Sequence, residues 1–161
     1  MRNGCNTLEI KLKLKSHSDT NHLAEIISQN LFPGFVLGLT GDLGSGKTTF
    51  TKYLAKHMGI SDTLNSPTFT ILKVYDNDPL DLYHMDVYRL EGGDYDYELE
   101  DFIYDHGVSV IEWYQYIEEM LPEEMLKISI NVIEEDLREV KISGEGRYEE
   151  VVKDIIDRYG Y

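Results

Sequence analysis

Gly41-Asp42-Leu43-Gly44-Ser45-Gly46-Lys47-Thr48 match the pattern G-x-x-x-x-G-K-[ST]. Each residue type has a physical task in holding phosphate. The glycines let the backbone curl so that successive N–H groups point inward at anionic oxygens. A helix beginning near Lys47 adds its positive end. Lys47 places a point charge on the outer phosphates, and Thr48 offers a hydroxyl to Mg²⁺. The apolar run Phe35 to Leu39 precedes the loop and a helical pattern follows it. That strand–loop–helix context separates a phosphate cradle from an ordinary glycine-rich turn.

A cradle alone hydrolyses nothing; a carboxylate must stand near the metal or the attacking water. Glu112 ends the hydrophobic run Val108-Ser109-Val110-Ile111, the arrangement that delivers an acid to a sheet edge beside such a loop. A solvated acid at a strand end would read the same way. Asp86 sits in His84-Met85-Asp86-Val87-Tyr88, where a period of two puts His84, Asp86 and Tyr88 on one face. That face is either functional or a half-exposed hairpin side. Ser66-Pro67-Thr68 has extended backbone before its proline. Thr68 there could sense a γ-phosphate as switch segments do, or could simply begin a strand. The histidines lack the spacing of a zinc site, which leaves them structural or surface roles.

The elements that must position these groups are legible from periodicity. Leu8 to Leu14 alternates apolar and polar residues, predicting a strand. Ser18-Asp19-Thr20 supplies capping oxygens for a helix carrying Leu23, Ile26, Ile27 and Leu31, which Pro33-Gly34 closes. Phe35 to Leu39 suits a strand buried on both faces. A helix runs from Lys47 to His57 and ends at Gly59. Thr68 to Tyr75 and Leu80 to Tyr88 read as an antiparallel hairpin turning at Asp76-Asn77-Asp78. Val108 to Ile111 is a further buried strand, followed by a helix around Tyr114 to Met120. Leu126 to Val132 and Arg138 to Ile142 form a second hairpin around Glu134-Glu135-Asp136. Arg147 to Tyr159 closes the chain as an amphipathic helix with Val151, Val152, Ile155 and Ile156 inward. Interleaved strands and helices predict the α/β class: a P-loop NTPase-like mixed sheet flanked by helices. With 161 residues the chain fits a single domain, residues 1–161, with an ample core.

Composition excludes several functions. The formal net charge is −15, which repels polyphosphate backbones and anionic membrane surfaces alike. Cys5 is the single cysteine, so no internal disulfide exists. No secretory signal or bilayer-spanning run is present, so a cytoplasmic setting is expected. Between Asp76 and Asp105 acids recur, and Arg89 is the sole Lys or Arg. This stretch is a solvated face or, with Tyr95, Tyr97, Phe102 and Tyr104, a docking surface for a basic partner.

Taken in order, Gly41 to Phe50, Asn65-Ser66-Pro67-Thr68-Phe69-Thr70, His84-Met85-Asp86-Val87-Tyr88-Arg89-Leu90 and Ile111-Glu112-Trp113 resemble the TsaE family, ATPases of bacterial tRNA threonylcarbamoyladenosine biosynthesis. The resemblance spans Leu8 to Ile142. It implies ATP/ADP and Mg²⁺ as cofactors, with hydrolysis slow until TsaD and TsaB proteins join. Those partners, and not this acidic chain, would hold the tRNA. It further implies that Gly41, Asp42, Leu43, Gly44, Ser45, Gly46, Lys47, Thr48 and Thr49 bind the nucleotide. The base would lie near Asp19, Thr20 and Arg138. Thr48, Glu112 and Asp86 would serve the metal. Lys47, Glu112, Asp86 and Thr68 would form the catalytic network.

Two other activities share the same loop. A small-molecule kinase needs cations around the transferring phosphoryl group. This chain has only five arginines, Arg2, Arg89, Arg138, Arg147 and Arg158, and no Arg-bearing lid. A nucleotide-dependent switch would bind with little turnover.

Overall fold

The alternation of Leu8, Ile10, Leu12 and Leu14 produces strand β1 (Thr7–Leu14), whose inward residues from Ile10 onward are buried. The computed structural model describes residues 7–42, 44–93 and 98–160. Cys5, Leu43, Asp94, Tyr95, Asp96 and Tyr97 lie outside the described residues.

The remaining elements are α1 (His17–Ser28), β2 (Val36–Thr40), α2 (Lys47–His57), β3 (Leu72–Tyr75), β4 (Leu82–Asp86), α3 (Leu99–Ile103), β5 (Val108–Glu112), β6 (Leu126–Glu134), β7 (Leu137–Glu145) and α4 (Glu149–Arg158). The strands form one mixed sheet in the order β1-β7-β6-β2-β5-β4-β3. β2 runs parallel to both β5 and β6, and β4 runs parallel to β5. Antiparallel pairs β1–β7, β6–β7 and β3–β4 complete the sheet. The α/β class with a mixed sheet is therefore as the periodicity predicts.

Side chains alternate across the sheet and feed two cores. Leu37, Leu39, Val108 and Val110 pack on the side that carries Leu23 and Ile27 of α1, Phe50 and Leu54 of α2, and Val152 and Ile155 of α4. Val36, Met85 and Ile111 face the other side, with Leu99 and Ile103 of α3. Each fully buried Leu or Ile contributes about 1.5–3 kcal/mol, so the two layers hold the sheet firmly. Gly38 in β2 is required by close approach, since a Cβ there would sit 2.5 Å from the Tyr114 ring. Among the described residues no helix is long and apolar enough to cross a membrane.

Several boundaries differ from the sequence reading. Helix α1 is capped by Ser16, not by Ser18 to Thr20; its extended backbone frees Oγ to accept from the Asp19 N–H. The helix stops at Ser28, before Leu31 and Pro33-Gly34. The strand expected over Thr68 to Tyr75 begins only at Leu72. Pro67 to Thr70 form a turn instead, with the Ile71 N–H donating to Pro67 O at 2.7 Å and Ile71 at φ 69°. β4 ends at Asp86, and Tyr88 opens a short 3-10 helix (Tyr88–Leu90), so it leaves the face of His84. Tyr114–Met120 is a 3-10 helix kinked at Ile117. Ile156 remains exposed while Val151, Val152 and Ile155 are buried. In the late start of β3 and the early end of β4, β-branched and apolar residues state a preference that turn contacts override.

Candidate active site

The parallel strands β2, β4 and β5 end at the same edge of the sheet, where an open α/β sheet offers its binding crevice. The turn from β2 into α2 carries the glycine-rich loop. Gly41 has φ 146°, and a Cβ there would run into Ile130 O and Ser45 Oγ, so no other residue fits this corner. No side chain caps α2.

Lys47, the first residue of α2, is 5% exposed. Its Nζ donates to Gly41 O at 2.5 Å and Asp42 O at 3.1 Å. It also lies 4.7 Å from the centroid of the Trp113 ring, a cation–π contact. Burial pulls the lysine pKa below its usual value, and the carboxylates of Glu112, Asp86 and Asp42 oppose that pull.

Glu112 closes β5 and is buried, which removes the solvated strand-end alternative. Its Oε2 accepts from Thr48 Oγ1 at 3.2 Å and lies 2.7 Å from His84 Nε2. Asp86 is its register partner across β4–β5 and is also buried, so the half-exposed hairpin reading fails. Thr68 Oγ1 donates to Asp86 Oδ2 at 3.1 Å, and the Tyr88 N–H donates to Oδ1 at the same distance. Thr68 in turn lies 2.6 Å from Ser66 Oγ. Alternation explains this convergence: His84 and Asp86 share the face of Leu82, and Glu112 that of Val108 and Val110, which is the side α2 covers.

Two cavities flank the loop. One, of about 200 Å³, is lined by Lys47, Thr48, Ser66, Thr68, Asp86, Glu112 and Trp113. The other, of about 290 Å³, lies between the start of α1 and the β6–β7 hairpin, against Leu14, Ser16, His17, Thr20, Ile130, Glu135, Asp136 and Arg138. Gly44, Gly46 and Thr49 line both. Arg138 ties the hairpin to the loop: its Nε donates to Ser45 O at 3.1 Å and its Nη1 to Glu135 O at 3.0 Å.

Thr20 and Arg138, which the family resemblance assigns to the base, both line the second cavity. Asp19 does not line it; its carboxylate accepts from the Lys15 N–H at 2.7 Å and serves the start of α1. Leu43 lies outside the described residues. From sequence Trp113 has no assigned role and His84 a structural or surface one; the structure sets Trp113 against Lys47 and His84 against Glu112. Their signals were adjacency to Glu112 and the shared face with Asp86. Ser16, His17 and Ile130 carried none.

The donor set beside Thr48 consists of a hydroxyl and two carboxylates, all oxygen, which suits a hard cation such as Mg²⁺. Among the described residues no cluster of three or more His, Cys, Asp and Glu side chains could hold a metal alone.

A family model described as "Threonylcarbamoyl adenosine biosynthesis protein TsaE" matches residues 14–140. The tRNA threonylcarbamoyladenosine biosynthesis protein TsaE of Bacillus subtilis (strain 168) is 43% identical over 148 residues, 91% of this chain and 94% of that protein. The protein of the same name from Treponema pallidum (strain Nichols) is 40% identical over 131 residues, 80% of this chain and 96% of that one. The crystal structure of Bacillus subtilis YdiB superimposes with a TM-score of 0.81 at 38% identity, covering 94% of this chain and 97% of that one.

Proposed function

The chain belongs to the TsaE family of tRNA threonylcarbamoyladenosine biosynthesis, and from that membership we propose that it is a Mg²⁺-dependent ATPase of the threonylcarbamoyl-installing machinery. The observation that carries this reading is the convergence of Lys47, Thr48, Thr68, Asp86 and Glu112 on one cleft beside the loop. ATP would lay its phosphates over the loop amides and Lys47. Its base would enter the cavity between α1 and the β6–β7 hairpin, beside Thr20 and Arg138.

Thr48, with Glu112 and Asp86 behind it, would hold Mg²⁺. When bound, that ion draws charge from the phosphate oxygens and eases departure of ADP. The chain's own groups do the rest. Lys47 leaves the carbonyls of Gly41 and Asp42 for the outer phosphates, where its charge matches the developing negative charge. Glu112 orients a water toward the γ-phosphorus and accepts its proton. Thr68, held on Asp86, reports whether the γ-phosphate is present. Trp113 walls off one side of Lys47 and limits water there.

The charge of −15 supports a division of labour in which TsaD and TsaB proteins hold the tRNA, directed to adenosine 37, in the cytoplasm. Phosphate release and tRNA modification are measured with the chain alone and with TsaD and TsaB, using ATP and a non-hydrolysable analogue. Phosphate release without a phosphorylated acceptor, increased by the partners, supports the proposal. Transfer to a metabolite would make the chain a kinase, and binding without turnover would make it a switch.

A further inference from the structure

His84 sits in the middle of β4 with no exposure to solvent. A polar ring is costly there unless it has a partner. Its Nε2 lies 2.7 Å from Glu112 Oε2, while Nδ1 is buried with no partner among the described residues. The imidazole therefore has one polar engagement, and it is with the carboxylate of the candidate site.

The tautomer follows from those two facts. A hydrogen on Nδ1 would bury an unpaired donor and aim the Nε2 lone pair at a carboxylate oxygen. A hydrogen on Nε2 makes a charge-assisted bond and leaves only an acceptor unpaired.

Glu112 needs such a holder. It is the last residue of β5, and Trp113 beyond it turns to φ 64°, so the strand does not continue past it. Thr48 from α2 and His84 from β4 both reach Oε2. The Thr48 hydroxyl is the group assigned to Mg²⁺ above. Once it turns to the ion, the imidazole is the donor left on Glu112.

We propose that His84 is a positioning residue: its Nε2–H holds the Glu112 carboxylate in the orientation that hydrolysis requires, without contributing to nucleotide binding. The kinetic arm of the test rests on the ATPase reading; the spectroscopic arm does not.

Three variants separate positioning from packing. His84→Leu keeps an apolar side chain of similar size and removes the donor. His84→Gln carries an amide N–H near the reach of Nε2, whereas the amide of His84→Asn stops near Nδ1. With ATP and Mg²⁺, His84→Leu and His84→Asn should lower kcat about 10–100-fold, the range for lost support of a metal-site ligand. ATP affinity should stay within about threefold, and His84→Gln should recover most of the rate. Equal kcat in His84→Leu and wild type, or parallel loss of binding and rate with Gln no better than Leu, overturns the proposal.

In the nucleotide-free wild-type chain labelled with ¹⁵N at imidazole, NMR should show the hydrogen on Nε2, with its resonance displaced in Glu112→Gln. A hydrogen on Nδ1, or no displacement, overturns the contact. This arm also decides the matter if His84→Leu fails to fold. If wild type does not turn over even with its partners, the ATPase reading falls, and the tautomer alone decides whether His84 holds Glu112.

Discussion

Replacing Lys47 with methionine removes the ammonium while keeping an unbranched apolar stem beside Trp113. Nζ bonds two loop carbonyls, at 2.5 Å on Gly41 O and 3.1 Å on Asp42 O. It must surrender these to reach a phosphate, so the net gain on binding is smaller than the sum of its new contacts. A hydrogen bond to a charged group is worth about 1.5–3 kcal/mol, and one such net contact corresponds to about 10- to 150-fold in affinity. Burial already disfavours the charged lysine, and nearby Glu112, Asp86 and Asp42 counter that effect. The variant leaves those carboxylates without the opposing Lys47 charge, so the triphosphate should suffer more than ADP. Isothermal titration calorimetry at fixed ionic strength with Mg²⁺ measures both affinities directly. Trp113, the only tryptophan, supplies a second optical readout. A Kd for ATP within about threefold of wild type would refute the assignment of Lys47 to phosphate, since it would leave less than one charge-assisted contact to explain.

Thr68→Val removes the hydroxyl on Asp86 with little change in volume; hydrolysis should slow about tenfold or more while ADP affinity holds, and an unchanged kcat contradicts a switch role. Tyr148→Phe strips the buried Val36 N–H of its acceptor and should cost about 1–3 kcal/mol, read as a lower urea midpoint at constant m-value. Burial, with Glu118 nearby, pushes the Tyr114 hydroxyl up to about 12 from 10.0. A raised folded-state value means its contribution is intact below about pH 10 and is lost as pH climbs toward 12. Stability should therefore fall across that window, and Tyr114→Phe should flatten the fall.

The loop is the part of the site that short-range pattern determined. Gly41 to Thr48 is contiguous, its neighbours Phe35 to Leu39 and Lys47 to His57 have unambiguous periods, and α2 spans the residues expected. Glu112 was found because it ends an apolar run, and Asp86 because it interrupts one. In each case the signal lies within a few residues of the group, where backbone period and side-chain chemistry are coupled directly.

Tertiary structure decided which of these groups meet. Sequence spacing puts His84 and Asp86 on one face but cannot say that α2 covers that face; the parallel register of β4 and β5 does. Thr68 sits in a turn ahead of its strand, where its hydroxyl meets the Asp86 carboxylate from β4. Asp19 is drawn to the Lys15 N–H because α1 begins almost at the end of β1. Arg138 reaches the loop because β6 pairs with β2. Apart from the Asp19 contact, which spans only four residues, these contacts join residues far apart in the chain. Their energies appear only once the sheet has closed, so no local pattern encodes them.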